Sequence, residues 1–322
     1  MPYSHHSHSG QFCKHASGTL EDVVLEAIKQ GFEVYGLTEH VPRYRTADLY
    51  PEEQGHSLED LAAQFCGFLE EAHRLKSKYA GRIALLVGLE TESITPVDLD
   101  RLAELLGQHA GRIEYVVGSV HHVNEIPIDF DLATFERSLN SFAVEKSENA
   151  GHLRMEAFLC SYFDAQYELL RRFHPEVVGH FDLCRLYNPG LQFGDYPHAL
   201  DKLKRNVKYA ISYGALFEFN AAALRKGWNA AYPGEDVVKI ILENNGNFAL
   251  SDDSHGPHAV GLNYGPMAAY LRGVGISELW MLEHSENVNA GGRHMLPRKV
   301  EVSWWEHPFW ARDTIVVEDR IS

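Results

Sequence analysis

Short apolar runs alternate with helix-patterned segments along most of the chain, and that alternation leaves few folds open. The runs lie at residues 3–8, 34–40 (VYGLTEH), 83–92 (IALLVGLETE), 114–123 (EYVVGSVHHV), 176–182 (EVVGHFD), 215–221 (ALFEFNA) and 247–255 (NFALSDDSH). A candidate eighth is ELWMLEH at 278–284. Between them the spacing predicts helices at 19–30, 57–79, 96–109 and about 151–173, 197–213, 234–244 and 266–273. Local punctuation supports these boundaries. Thr19 and Asp22 are spaced as a capping box before a Gly31 stop, Ser57 caps the second helix, and Pro96 sits in the first turn of the third. The strands are apolar throughout rather than alternating, as in a parallel sheet covered on both faces. Seven or eight such units without a linker predict one closed α/β barrel over 1–322, with an irregular insertion at about 124–150 and a tail from about 285. A doubly wound open sheet is the alternative, but no Gly-rich dinucleotide or phosphate-loop fingerprint follows any strand.

In such barrels the strand C-termini converge on the functional face. Here those ends read HHSH, TEH, LETE, SVHH, GHFD, EFN and SDDSH. Most carry histidine, and the third offers two glutamates. Imidazole and carboxylate are the ligands that suit divalent transition metals. His6 and His8, and likewise Asp253 and His255, are two residues apart, so each pair projects from one strand face. Glu90 closes the third strand and can bridge two ions. His15 lies in the loop after the first strand, and His40, His121 and His180 end the second, fourth and fifth. These nine residues are too many for one ion and imply two or three. His5, His122 and Asp252 have the opposite strand phase and read as supporting or neutral groups. Glu92 shares the phase of Glu90, Glu39 abuts His40, and Cys13 lies nearby without any feature that requires a thiolate. The aromatic run WWEHPFW (304–310) reads as a packing anchor for the tail.

The net charge of −16 argues against a nucleic-acid wrap, which needs Lys/Arg stripes. It does not exclude a small phosphorylated substrate, because a cation cluster reverses the field within one cleft. No run approaches the ~18–20 apolar residues of a membrane span, and no basic or apolar leader is visible. Four cysteines without a CxxC suit a reducing, cytoplasmic compartment.

The ordered set HHSHSGQFCKHA, LTEH, GLETE, GSVHH, VVGHFD and SDDSH, from His6 to about Gly261, resembles the polymerase and histidinol phosphatase (PHP) superfamily. It is most similar to the histidinol-phosphatase branch found in fungi and many bacteria. The resemblance implies a distorted (β/α)7 TIM-like barrel with three divalent metal ions, zinc, manganese or iron. By resemblance His6, His8, Glu90 and Asp253 hold one ion, His15, His40 and His255 a second, and Glu90, His121 and His180 a third. The His8-to-His15 spacing is one residue longer than in many bacterial members. The implied reaction is hydrolysis of L-histidinol phosphate to L-histidinol and phosphate. Arg185, Arg225 and Lys226 follow strand ends, and basic residues at the matching family positions grip the substrate phosphate; guanidinium meets phosphate oxygens bidentately.

The expected attack is by a metal-bound hydroxide, with the leaving alkoxide stabilised by a metal or protonated by Asp253 or His255. Three dications, two carboxylates and one hydroxide leave the site near +3 (6 − 2 − 1), enough to hold a phosphate within an acidic protein. The alternatives are another small phosphoester or nucleotide as substrate, an amidohydrolase-type barrel, and a non-catalytic scaffold. The amidohydrolase reading is disfavoured because strand ends 3 and 4 carry Glu and His rather than a bridging lysine. The imidazole end of the substrate is expected to meet the 124–150 insertion or the loops after strands 5 and 6.

Overall fold

The structure, a computed structural model, describes residues 2–145, 147–301 and 303–310. Seven strands form one parallel sheet in chain order: β1 (Tyr3–Ser4), β2 (Val34–Leu37), β3 (Ala84–Glu90), β4 (Tyr115–Gly118), β5 (Val177–Val178), β6 (Leu216–Asn220) and β7 (Asn247–Ser251). Register runs Tyr3↔Val34, Val34↔Ala84, Gly88↔Tyr115, Val117↔Val177, Val177↔Leu216 and Leu216↔Asn247. The sheet then returns on itself. His5 N–H donates to Leu250 O at 3.1 Å, and just beyond, Ser7–His8 pairs in parallel with Ser254–His255. This is the (β/α)7 barrel, and it sets the strand ends of β1 and β7 side by side.

The crossovers form where the local signals put them. Helix α1 (Leu20–Gln30) carries the Thr19/Asp22 capping box and ends at Gly31 with φ of 79°. Helix α2 (Leu58–Tyr79) starts with a Ser57/Asp60 box, and α3 (Pro96–Gln108) with Pro at its first turn. The insertion after β4 makes a two-residue hairpin, His122–Val123 with Ile126–Pro127, and then α4 (Leu132–Asn140). Helices α5 (Ala150–Phe173), α6 (Pro197–Ser212), α7 (Ala222–Arg225), α8 (Glu235–Glu243) and α9 (Tyr264–Gly273) complete the outer layer.

Large aromatics fill the barrel interior. Tyr115 crosses it and donates to His5 O at 2.8 Å. A Cβ at position 36 would stand 2.0 Å from that Tyr115 Oη and 2.9 Å from the His5 backbone, so β2 needs Gly36 there.

The 278–284 run is not an eighth barrel strand. Trp280–His284 pairs antiparallel with Met295–Lys299 in a separate hairpin. The hairpin is anchored on the barrel by Tyr3 Oη, which donates to Trp280 O at 2.7 Å, and by Leu282 N–H, which donates to His5 Nε2 at 3.0 Å. The barrel already closes between β1 and β7, which leaves no edge for an eighth strand. The tail packs as its aromatics suggest: Trp304 is buried and Phe309 meets Phe32 and Tyr264. The second β-like run of the tail, DTIVVED, lies outside the described residues. Among the described residues no helix is long and apolar enough to cross a membrane.

Candidate metal centre

Glu90 ends β3 at the barrel mouth, 1% exposed. Its carboxylate faces five imidazoles. Oε2 lies 3.2 Å from His6 Nε2, 3.3 Å from His8 Nε2 and 3.0 Å from His40 Nδ1. Oε1 lies 3.2 Å from His121 Nε2 and 3.0 Å from His180 Nε2. One carboxylate therefore spans two groups of donors. Asp253 closes the other side, with Oδ1 3.8, 3.7 and 3.6 Å from nitrogens of His6, His8 and His255. It sits at a φ of 47°, a left-handed conformation that aspartate tolerates better than most residues. The His15 ring stands 5.0 Å from that of His255 and 5.5 Å from that of His40. All nine residues singled out as ligands thus converge.

The donor set fits divalent cations. Imidazole nitrogens stand 3.1 Å apart at His6/His8 and 3.2 Å apart at His121/His180. Two nitrogens that each lie about 2.0–2.1 Å from a shared ion are separated by about 3–3.5 Å. His40 Nε2, although shielded from solvent, makes no hydrogen bond. Ligand atoms of His6, His8 and Glu90, of His8, Asp253 and His255, and of Glu90, His121 and His180 each lie within 4.8 Å of one another. Electrostatics agree. Burial alone would raise the Glu90 pKa, but His6, His121 and His40 hold it well below the usual carboxylate range. Burial opposes a charged His8, yet Glu39 and Glu90 push its pKa up to about 9. His40 and His255 go the other way, lowered by burial and by the neighbouring His8. Positive charge is thus drawn to the centre and resisted at its rim.

A ring of carboxylates orients the imidazoles from behind. His6 Nδ1 meets Glu218 Oε1 at 2.8 Å, His8 Nδ1 lies 3.4 Å from Glu39 Oε2, and His121 Nδ1 meets Glu92 Oε2 at 3.1 Å. An Nδ1–H bound to a carboxylate leaves the Nε2 lone pair aimed at the centre. Glu92 lies behind His121, held by Arg43 at 3.2 Å, and its Oε1 shares His40 Nδ1 with Glu90, at 3.2 and 3.0 Å. Glu39 stands behind His8, with Oε1 accepting from Ser9 N and Oγ. His5 and Asp252 do lie on the opposite face. Burial lowers the His5 pKa to about 3, and it raises that of Asp252, which accepts from Ser4, Tyr35 and the backbone of Gly261, to about 6.

Glu218 and Asn220 escaped the sequence reading. Glu218 also accepts His180 N–H at 2.7 Å and Asn220 Nδ2–H at 2.9 Å, and Asn220 donates on to Asp253 Oδ2 at 3.1 Å. The period-2 phase of EFN puts both on one face; that signal was present, but a strand end without histidine drew no attention. Replacing Glu218 with Gln should weaken metal binding or activity about 10–100-fold while the fold persists; metal content and kcat measured together test this.

Above the cluster lies a pocket of about 370 Å³. Its floor is made by His15, His40, Glu90, His121, Asp253 and His255. Its walls are Tyr50, Glu52, Arg225 and Lys226, with Asp129 and Phe130 from the insertion. Arg225 Nη1 donates to Asp253 O at 3.2 Å, and Lys226 Nζ lies 3.7 Å from Asp129.

Arg185 is not part of this pocket, contrary to the expectation that it points into the barrel mouth. It is 2% exposed and paired with Asp182 Oδ2 at 2.6 Å and with both oxygens of Asp236, at 2.8 and 3.2 Å. Its fork is thus already committed to carboxylates, and it faces Trp228 and Gly234 on a separate groove.

A model of the PHP domain matches residues 4–222. A protein of Schizosaccharomyces pombe named "Probable histidinol-phosphatase" is 45% identical over 293 residues, 90% of this chain and 92% of that one. The histidinol-phosphatase of Saccharomyces cerevisiae is 33% identical over 343 residues, 96% of this chain and 99% of that one. Among solved structures, histidinol phosphate phosphatase from Lactococcus lactis, in complex with zinc, L-histidinol and phosphate, superposes with a TM-score of 0.56 at 16% identity, covering 87% of this chain and 95% of that one.

Proposed function

The chain belongs to the PHP domain family, and on that premise we propose that it hydrolyses L-histidinol phosphate to L-histidinol and phosphate, using divalent cations held around Glu90. The observation that carries this reading is one buried carboxylate within 3.0–3.3 Å of five imidazoles, at the floor of a pocket with charged and aromatic walls. The names of the two yeast relatives support the reaction, and the ligands of the Lactococcus protein support both the metal and the substrate.

Three ions, zinc, manganese or iron, would be shared among His6, His8, Glu90 and Asp253; His15, His40 and His255; and Glu90, His121 and His180. When bound, such ions neutralise phosphate oxygens and lower the pKa of a coordinated water. The protein's own part is to place and neutralise. Arg225 and Lys226 line the pocket wall where phosphate oxygens would face them. Asp253 and His255 are the floor groups placed to pass a proton to the leaving oxygen. Burial would raise Asp253, but His6, His255 and His8 hold it ionised. Tyr50 and Phe130 stack with rings 6.3 Å apart, and Glu52 and Asp129 stand beside them. Aromatic faces and carboxylates suit a substrate with an imidazole at one end and an ammonium group near it.

The test is phosphate release from L-histidinol phosphate before chelation, after it, and after metal is restored. Loss on chelation and recovery on restoration are expected. Metal-dependent release from other phosphoesters only would keep the site and remove the substrate. Replacing Asp129 with Asn should raise KM for L-histidinol phosphate about 10-fold or more, the scale of one hydrogen bond to a charged group. Hydrolysis of p-nitrophenyl phosphate, which lacks both nitrogenous groups, should change little.

A further inference from the structure

Cys13 sits on the loop between the first strand and α1, 5% exposed, with Sγ 3.2 Å from His15 Nε2. Ligand atoms of Cys13, His15, His40 and His255 all lie within 4.8 Å of one another. Four donors at about 2.0–2.3 Å around a tetrahedral zinc are separated by about 3.3–3.8 Å, so small side-chain shifts would bring this set into register. Two further observations point to a ligand here. His40 Nδ1 is taken up by Glu90 and Glu92, at 3.0 and 3.2 Å, while its Nε2 is shielded from solvent and makes no hydrogen bond. Glu39 is 2% exposed and shares a second 4.8 Å group with Cys13 and His8. His255 Nδ1 is bound to Asp253 O at 3.0 Å, which leaves its Nε2 as the free donor.

We infer that Cys13 is the fourth protein donor to the ion held by His15, His40 and His255, binding as a thiolate. This rests on the metal centre proposed above and extends it. As the sulfur–metal bond forms, the thiol proton passes to solvent, and no electron changes hands. The consequences are specific to this ion. Four protein donors fill a tetrahedron, so it keeps no open position, unlike an ion held by three. A thiolate is also the softest donor in the cluster, which favours zinc or ferrous iron over manganese at this one position.

The test is the absorption spectrum of the protein reconstituted with Co(II). A thiolate-to-cobalt charge-transfer band in the near ultraviolet is expected in the unaltered chain and in a Cys160→Ser control, since Cys160 lies on α5. It should be lost in Cys13→Ser. Absence of the band in the unaltered protein, or its persistence in Cys13→Ser, would overturn the inference. Should Cys13→Ser fail to fold, X-ray absorption at the zinc edge of the unaltered protein decides: a sulfur neighbour at about 2.3 Å supports the inference, and nitrogen and oxygen neighbours alone overturn it. Both measurements read the ligand and not the reaction. An active phosphatase without the band would lose this inference and keep its function, and the band without activity would do the reverse.

Discussion

Replacing Glu90 with Gln should abolish most activity, on the order of 10³-fold in kcat, and strip metal from the protein. The side chain is nearly isosteric, so the effect is chemical. Among the described residues, Glu90 is the one carboxylate that faces His6, His8 and His40 with one oxygen and His121 and His180 with the other. An amide loses the negative charge that draws cations to the centre. It also presents N–H donors to imidazole nitrogens that should be lone-pair donors to metal. Several kcal/mol of charge stabilisation are at stake in such a site, and each 1.36 kcal/mol is tenfold in rate. Metal analysis of the purified variant beside kcat on L-histidinol phosphate is the check. A variant with full metal content and full activity would remove Glu90 from the centre.

Replacing Arg185 with Ala should instead unfold the protein more easily and leave the chemistry of its folded fraction alone. Arg185 answers two carboxylates, Asp182 at 0% exposure and Asp236 at the start of α8. Without it Asp182 keeps only the Gly234 N–H as a donor, at 2.9 Å. Burial already raises the pKa of Asp182, with Arg185 opposing that rise. Breaking one partner out of a buried pair typically costs about 3–5 kcal/mol. In a chain of this size that lowers Tm on the order of 10 °C. Thermal unfolding and KM, measured on the same preparation, separate the two roles. A large rise in KM with an unchanged Tm would return Arg185 to phosphate binding.

Arg185 shows why part of the site was hidden. Its position after a strand end is a local fact, and by that fact it resembles Arg225. What separates them is Asp236, 51 residues further on, which only the packing of α8 brings within reach. Packing also joins Glu218 to the His6 ring that it orients, 212 residues away. Local pattern also disguised the 278–284 run, whose composition is that of a barrel strand and whose partner is a later antiparallel segment. Alternation and apolarity describe a strand, and they do not say which edge will accept it.

What the sequence by itself determined is whatever depends on neighbours within a few residues. The capping boxes at Thr19 and Ser57 start helices where they stand. The period of two puts His6 with His8 and Asp253 with His255 on common faces, and β-rich runs place their ends at one barrel mouth. Together with the family resemblance, which chose Glu90 over Glu92, that named the nine residues that converge. Local pattern alone could not separate Glu90 from Glu92, which share one strand phase; the tertiary structure shows the difference in what surrounds them, five imidazoles around Glu90 and Arg43 beside Glu92. It also decided which arginine is committed to buried carboxylates, Arg185, and which lines the pocket, Arg225. Those choices are made by charges brought together across the barrel, where burial makes an unpaired group costly and so forces each one to find its partner.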